Sequence, residues 1–476
     1  MVFRPKGDLT MFEAGTYAER RERLRKQVGT GLILILGNED SPMNYAANAY
    51  HFKQDNSFLY FFGLDTPGLA AVLDPEEGRD ILFGDDIDME DIIWMGTLPS
   101  VADRAARVGV KETMPRAKLA EVLNQARQKG RTVHFLPPYR SQAGILLQKL
   151  LGIPPDEAKA KASPSLIKAV VAQRLIKSPA EVREIEKALA VSYDMYHLAM
   201  KTAKPGVREQ DIVGRIEGLA FSRANGTAFP TILTINGQIL HNHGYANTLK
   251  QGRLLVIDSG AESPLHYASD ITRTIPVGGK FSPKQKEIYE IVEEAHDQAI
   301  DRMKPGALYR DIHLQAAAVI ASGLKDLGLM KGDVGQAVAN GAHALFFPHG
   351  LGHQMGLGVH DMEDLGEDYV GYDDTIKRSA QFGLAYLRFA TALKPGHVLT
   401  VEPGLYFIPA LIDQWRGEGQ HRDFINYDRV DTYRSFGGVR VEDNVLLTAT
   451  AKGHRLLGRL IPKSVRDIEK AMAGRA

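Results

Sequence analysis

The chain has no cysteine among its 476 residues. That absence excludes disulfides, thiolate-held zinc, iron–sulfur clusters and a cysteine nucleophile. Any metal here must be held by imidazole and carboxylate, a set that suits harder divalent ions. Neither sign of charge is in excess, since Lys+Arg and Asp+Glu both number 58. The balance argues against nucleic acid or an anionic membrane surface as the main partner. No apolar run approaches the ~20 residues of a membrane helix. The opening residues, Met1-Val-Phe-Arg-Pro-Lys-Gly-Asp8, lack the apolar centre of a secretion signal. Together these lacks set the expectation of a cytoplasmic protein. Several catalytic signatures are missing too: the Gly-x-Ser-x-Gly elbow, the His-Glu-x-x-His helix and the Gly-x-x-x-x-Gly-Lys-Ser/Thr phosphate loop. The glycine-rich run Gly350 to Gly358 has the wrong spacing for a dinucleotide loop. It also carries His353, with His360 just beyond, which a phosphate loop does not need.

What is present reads as a soluble globular chain, 44% apolar and 24% charged, long enough for two domains. Residues 15–170 alternate short apolar runs with helical patterns. Gly31 to Gly37, Ala70 to Asp74, Asp80 to Gly84 and Thr132 to Leu136 read as strands. Lys118 to Lys129 reads as a helix between two of them. The pattern predicts a mixed α/β domain. A second domain opens at Ser178-Pro179-Ala180-Glu181, a capping box with proline at the first helical position. Its helix runs to about Lys201, and Lys204-Pro205-Gly206 stops it. The boundary falls near Leu175, giving domains 1–174 and 175–476.

The second domain contains echoes of itself. Lys204-Pro205-Gly206 with Asp211-Ile212 recurs as Lys304-Pro305-Gly306 with Asp311-Ile312. Common turn chemistry explains that echo about as well as duplication does. A second echo is sharper. Leu249-Lys-Gln-Gly-Arg-Leu-Leu-Val-Ile-Asp258-Ser-Gly260 matches Leu393-Lys-Pro-Gly-His-Val-Leu-Thr-Val-Glu402-Pro-Gly404 and aligns Asp258 with Glu402. Two related halves would each send a carboxylate to a shared seam.

Five residues stand at the ends or edges of apolar strands: Asp258, Asp270, His353, Glu402 and Glu442. A buried carboxylate there is expensive unless paired or metal-bound. Four carboxylates and one imidazole are about the right number to hold two divalent ions ~3.5–4 Å apart. Each residue alone has a plainer reading. Asp258-Ser-Gly260 could be a turn after a strand, Asp270 a helix cap or surface acid, and His353 a core histidine. Glu402-Pro-Gly404 could be a turn, and Arg440-Val-Glu442 could hold an ordinary cross-strand ion pair. A single cation site accounts for all five within one domain.

At these residues the sequence resembles the pita-bread metallopeptidases, in their aminopeptidase P and prolidase branch. Leu255-Val-Ile-Asp-Ser-Gly, Tyr267-Ala-Ser-Asp-Ile-Thr-Arg-Thr, His349-Gly-Leu-Gly-His, Leu399-Thr-Val-Glu-Pro-Gly and Val439-Arg-Val-Glu-Asp are similar to that family's five metal-site motifs, in order. Tyr50 to Gly63 resembles its amino-terminal signature, with Lys53 where arginine is usual. The resemblance covers nearly the whole chain. It implies an α+β architecture: a C-terminal pita-bread catalytic domain with pseudo-twofold halves, preceded by a smaller mixed α/β domain of the aminopeptidase P type.

It also implies that Asp258, Asp270, His353, Glu402 and Glu442 ligate two divalent ions, with Asp270 and Glu442 bridging. Mn2+ comes first, and Co2+, Zn2+ and Fe2+ are compatible with the ligand types. His241 matches the family's substrate-side histidine, with His243 a nearby competitor. His349, His360, Tyr406 and Arg440 match further substrate contacts, and Arg388 an arginine able to hold a substrate carboxylate. In the mechanism this implies, Glu402 handles the water proton, aided by His360 and His241. The expected activity is hydrolysis of the Xaa-Pro bond at the N-terminus of proline-containing peptides. The alternatives are a prolidase acting on Xaa-Pro dipeptides, suggested by Phe436-Gly-Gly-Val-Arg440 and the tail from Pro462 to Glu469, and a non-catalytic protein-binding module. The family resemblance suggests a homodimer or homotetramer. Two departures stand out: Phe229 to Gly237 is short and lacks an expected aromatic, and Asp364 to Gly383 is long.

Overall fold

The apolar run between Gly31 and Gly37 forms β1 (Leu32–Leu36) in the computed structural model, which describes residues 11–474. The opening residues read above for a leader lie outside the described residues. The chain divides into two compact units, Met1–Arg174 with Glu363–Tyr369, and Leu175–Met362 with Val370–Ala476. In the first unit β1 lies second from one edge of a five-stranded sheet. The other strands are β2 (Ala70–Asp74), β3 (Arg79–Phe83), β4 (Glu112–Met114) and β5 (Val133–Phe135), in the order β4-β3-β2-β1-β5. β1 with β2 and β2 with β3 run antiparallel, while β1 with β5 and β3 with β4 run parallel. This is the mixed α/β build expected. The helix predicted over 118–129 forms at Leu119–Gln128. The sequence reading did not anticipate β4 or the helix Met89–Met95, which buries none of its residues. No helix among the described residues is long and apolar enough to cross a membrane.

The second unit is built twice over. Its first half opens with the helix Pro179–Thr202, closed at the start by the reciprocal Ser178/Glu181 capping box, and continues into Glu209–Arg223. The second half opens with Pro283–Asp301, whose Ser282/Gln285 capping box and first-turn proline repeat the same device, and continues into Tyr309–Asp326. The Lys-Pro-Gly turns dock onto the second echo in the same way in both halves. Gly206 N–H donates to Leu249 O at 2.9 Å and Leu249 N–H to Val207 O at 2.8 Å. Gly306 N–H donates to Leu393 O at 2.8 Å and Leu393 N–H to Ala307 O at 2.9 Å. The two echoes are therefore one repeated unit, and the first is more than common turn chemistry.

Each half carries a three-stranded sheet. The first is β6 (Ile232–Thr234), β7 (Leu254–Ser259) and β8 (Ile271–Pro276), in that order. The second joins β9 (Val398–Val401) to β12 (Asp443–Leu447) and β13 (His454–Leu456). Between them β10 (Gly404–Tyr406) pairs antiparallel with β11 (Gly438–Arg440). Every residue of β7, β8 and β9 is buried. Their carboxylates and threonines are thus held away from water and must find partners inside.

A buried ion pair ties down the loop that follows His353. Lys177 Nζ lies 3.2 Å from Asp361 Oδ2, with side chains 1% and 2% exposed. Asp361 N–H donates to Gln354 O at 3.0 Å, and its Oδ1 accepts from Gly358 N–H at 3.2 Å. Breaking a buried pair by removing one partner costs about 3–5 kcal/mol. Lys177→Met is expected to lower unfolding stability in denaturant titration by about that much. Lys377→Met, at an exposed pair with Asp374, should produce no measurable change. Equal stabilities for the two variants would contradict the role given to the buried pair.

Candidate metal centre

The two halves meet where β8 passes β12. Glu442 N–H donates to Thr272 O at 3.1 Å, and Thr272 Oγ1 donates to Glu442 Oε2 at 2.7 Å. Asp270 N–H donates to Asn444 Oδ1 at 3.2 Å, and Asn444 Nδ2 donates back to Asp270 O. These bonds bring the acids of different halves face to face. His353 is set by β9: its N–H donates to Thr400 Oγ1 at 3.0 Å, and Tyr309 OH donates to Thr400 O at 2.6 Å. The approach requires Gly352, because a Cβ there would sit 2.2 Å from Thr400 O.

Asp270, His353 and Glu442 each present a ligand atom, all within 4.8 Å of one another. The His353 tautomer can be derived. Its Nδ1 lies 3.2 Å from Gln354 O, which can only accept, so Nδ1 carries the hydrogen. Nε2 is then a bare lone pair, yet it faces Asp270 Oδ2 at 3.4 Å and Glu402 Oε1 at 3.5 Å. Burial, with the neighbouring His360, holds the ring well below the usual imidazole range, so protonation does not resolve the clash. Asp270 Oδ1, Glu442 Oε1 and Asp258 Oδ1 are buried without a hydrogen-bond partner. Burial, and after it the Glu442 and Asp258 charges, pushes the Asp270 carboxyl far above the ordinary carboxylate range. Burial, with Glu402 and Asp258, does the same to Glu442. Lone pairs converging on one volume with no donor between them fit a divalent cation.

Asp258 and Glu402 flank this trio rather than join it. Asp258 Oδ2 is 2.6 Å from Arg440 Nη2. Glu402 Oε1 accepts from Thr400 Oγ1 at 3.3 Å, and its side chain remains 18% exposed. It is thus less deeply buried than an acid closing an apolar strand was expected to be. Asp258 sits within β7, opposite Thr272, so the turn reading of Asp258-Ser-Gly260 does not hold. Nor is Arg440 in an ordinary ion pair with a strand neighbour. Its guanidinium spans Asp258, Tyr406 OH at 2.9 Å and Thr272 Oγ1 at 3.1 Å.

All five candidate ligands line one cavity of about 790 Å³, together with His241, His349, His360, Arg388 and Arg440. Tyr406 stands behind the wall. Its oxygen accepts from Arg440 and its hydrogen goes to His349 Nε2 at 2.9 Å, because His349 Nδ1 already donates to Gly350 O at 2.8 Å. Burial and the Arg440 charge push His349 down to about 3, so it stays neutral. Gly438 allows this packing, since a Cβ there would meet the Tyr406 ring at 2.4 Å. Arg388 lies on a bend, not a surface helix, and its Nη1 is 2.7 Å from His360 Nδ1. His241 and His243 both reach the same cavity from its exposed rim. The sequence reading missed Thr272, Thr400 and Asn444. Strand alternation could have found the threonines, since Asp270/Thr272 and Thr400/Glu402 are spaced two apart and share a face.

Comparison with known proteins is consistent with this geometry. The model of metallopeptidase family M24 matches residues 183–449. The chain belongs to that family. The model of the aminopeptidase P N-terminal domain matches residues 17–134. Human Xaa-Pro dipeptidase is 31% identical over 468 residues, covering 95% of this chain and 91% of the relative. The Xaa-Pro aminopeptidase of Escherichia coli is 30% identical over 471 residues, covering 96% and 97%. Among solved structures, aminopeptidase PepP of Pseudomonas aeruginosa superimposes with a TM-score of 0.80 at 29% identity, over 98% of this chain and 99% of that one. The M24 chain is thus a peptide-bond hydrolase with a pita-bread catalytic unit, in a family that works with divalent metal ions.

Without a cation the converging acids repel one another, so Asp270→Asn should raise the melting temperature of chelator-treated M24 protein. Mn2+ about 100-fold above its Kd should stabilise the wild type by about 2.7 kcal/mol and the variant far less. A wild-type melting curve indifferent to Mn2+, Co2+ and Zn2+ would contradict a cation site.

Proposed function

We propose that this M24 protein is a two-metal exopeptidase that hydrolyses the Xaa-Pro bond at the N-terminus of peptides. The observation that carries the reading is the convergence of Asp270, His353 and Glu442, flanked by Asp258 and Glu402, in a cavity that also holds the substrate-side groups His241, His349, His360, Arg388 and Arg440. The five residues would hold two ions, Mn2+ first by family resemblance. Bound there, the ions would supply a Lewis acid for the scissile carbonyl and a nucleophile at neutral pH.

The chain's own residues do the rest. Glu402 keeps Oε1 against Thr400 and His353, which leaves Oε2 to take the proton of the attacking water. Burial raises this carboxyl above the ordinary carboxylate range, toward the basicity a neutral-pH proton acceptor needs. The proline nitrogen has no hydrogen before cleavage and leaves as a secondary amine, so Glu402 hands it that proton. Arg388 donates to His360 Nδ1, so His360 presents Nε2–H as a donor for the developing oxyanion. The Arg440–Tyr406–His349 chain orients a neutral imidazole for the pyrrolidine ring. His241, at the rim, would meet the peptide backbone. We assign residues 1–174 to the aminopeptidase P-type domain and 175–476 to the catalytic domain. We place the protein in the cytoplasm as a homodimer or homotetramer.

A second reading, dipeptidase, is favoured by Arg388, a cation in the cavity that could take the free carboxylate of an Xaa-Pro dipeptide. Gly-Pro and Gly-Pro-Ala, assayed with Mn2+ restored after chelation, separate the two. Cleavage of both supports the aminopeptidase, cleavage of Gly-Pro alone the dipeptidase, and cleavage of neither sinks the proposal. Glu402→Gln should lower kcat by about 10²–10⁴-fold. Wild-type turnover in that variant would remove Glu402 from the mechanism.

A further inference from the structure

Part of the cavity wall has an unusual surface. Phe382 is 39% exposed and Tyr386 54% exposed, although both line the active cavity. Their rings meet edge to face, with centroids 5.9 Å apart at 88°. Phe382 also leans on Trp415, at 5.8 Å and 67°. Ile408 and Leu411 continue the apolar face. The segment carrying the two rings is firmly held. Gly383 takes a positive φ of 84° and closes on Ala344, where a Cβ would be 2.7 Å from that side chain. Gln381 Nε2 donates to Ala339 O at 3.1 Å, Arg378 Nη1 to Ala385 O at 3.1 Å, and Tyr372 OH to Leu387 O at 2.5 Å.

The position of this wall relative to the chemistry follows from two contacts. Gly350 lies so close to the chain at Tyr386 that a Cβ would be 2.7 Å from Tyr386 O. The wall therefore adjoins His349, assigned above to the proline ring. Two residues on, Arg388 grips His360, assigned above to the developing oxyanion. An extended peptide places successive side chains ~3.3 Å apart along its axis. The residue after the proline is the first that can pass beyond His349 and His360 to the aromatic face.

We propose that Phe382 and Tyr386 form a subsite for an apolar side chain on the residue following the substrate proline, so that the preferred substrates are Xaa-Pro-Yaa peptides with Yaa aromatic or large aliphatic. The inference rests on the aminopeptidase reading. Burying an apolar side chain against two rings that water now covers supplies the discrimination, and edge-to-face ring contacts add to it for an aromatic Yaa. A polar Yaa would dehydrate the rings with no matching gain.

The test compares kcat/KM for Gly-Pro-Phe, Gly-Pro-Leu and Gly-Pro-Ser, with Gly-Pro alongside, in the Mn2+-loaded wild type and in Phe382→Ala/Tyr386→Ala and Phe382→Leu. The wild type should favour Phe and Leu over Ser by about tenfold or more. The double variant should bring the ratio close to one, and Phe382→Leu should keep most of it. Equal cleavage of the three tripeptides by the wild type overturns the subsite and leaves the aminopeptidase reading standing. An unchanged preference in the double variant also overturns it. Hydrolysis of Gly-Pro alone overturns the subsite and the aminopeptidase reading together.

Discussion

Carboxylates and an imidazole lone pair, largely buried, face one small volume at the floor of the cavity in this protein. Buried negative charge of this kind cannot stay uncompensated, and burial alone drives the acids toward their neutral forms. A divalent cation turns that liability into a binding site. The surrounding hydrogen bonds do not neutralise the cluster. They fix which oxygen is taken and which is left. Thr272 takes one oxygen of Glu442, Arg440 one of Asp258 and Thr400 one of Glu402. The second oxygens of Glu442 and Asp258 remain free of protein partners.

The scaffold brings these groups together by repetition. Each half supplies a capped helix pair, a Lys-Pro-Gly turn docked on a Leu-Lys-x-Gly segment, and a strand ending in an acid. Neither half holds a complete cluster. Asp258 and Asp270 come with β7 and β8, while Glu402 and Glu442 come with β9 and β12. The backbone bond from Glu442 to Thr272 joins them across the seam. A shift of one residue at that crossing would turn Thr272 away from Glu442, because side chains in a strand alternate faces. Site geometry and the pairing of the two halves are therefore the same constraint.

Much of this was legible before the fold. The four acids and one imidazole stood in recognisable strings, and the Leu249–Gly260 and Leu393–Gly404 echo announced the duplication. The Ser178 capping box marked the start of the catalytic unit, but its counterpart at Ser282-Pro283-Lys-Gln285 went unread, since Gln replaces Glu. What the sequence could not show were contacts between distant segments. Nothing local to Thr400 says that it takes the His353 N–H, and nothing local to Arg388 says that its guanidinium meets His360. The strand Glu112–Met114 escaped because it is three half-buried residues long. The helix Met89–Met95 escaped because it buries no face and so leaves no periodic signal. Phe382 and Tyr386 drew no reading from the sequence, and the cavity places them on its wall.

The central claim is that two cations belong among these five side chains. Anomalous diffraction from Mn2+-soaked crystals, recorded at the manganese edge, tests it most directly. The account predicts two peaks about 3.5–4 Å apart, between Asp270 and Glu442, with His353 bound to one ion. A single peak would contradict the two-ion reading, and peaks remote from all five residues would contradict the site itself.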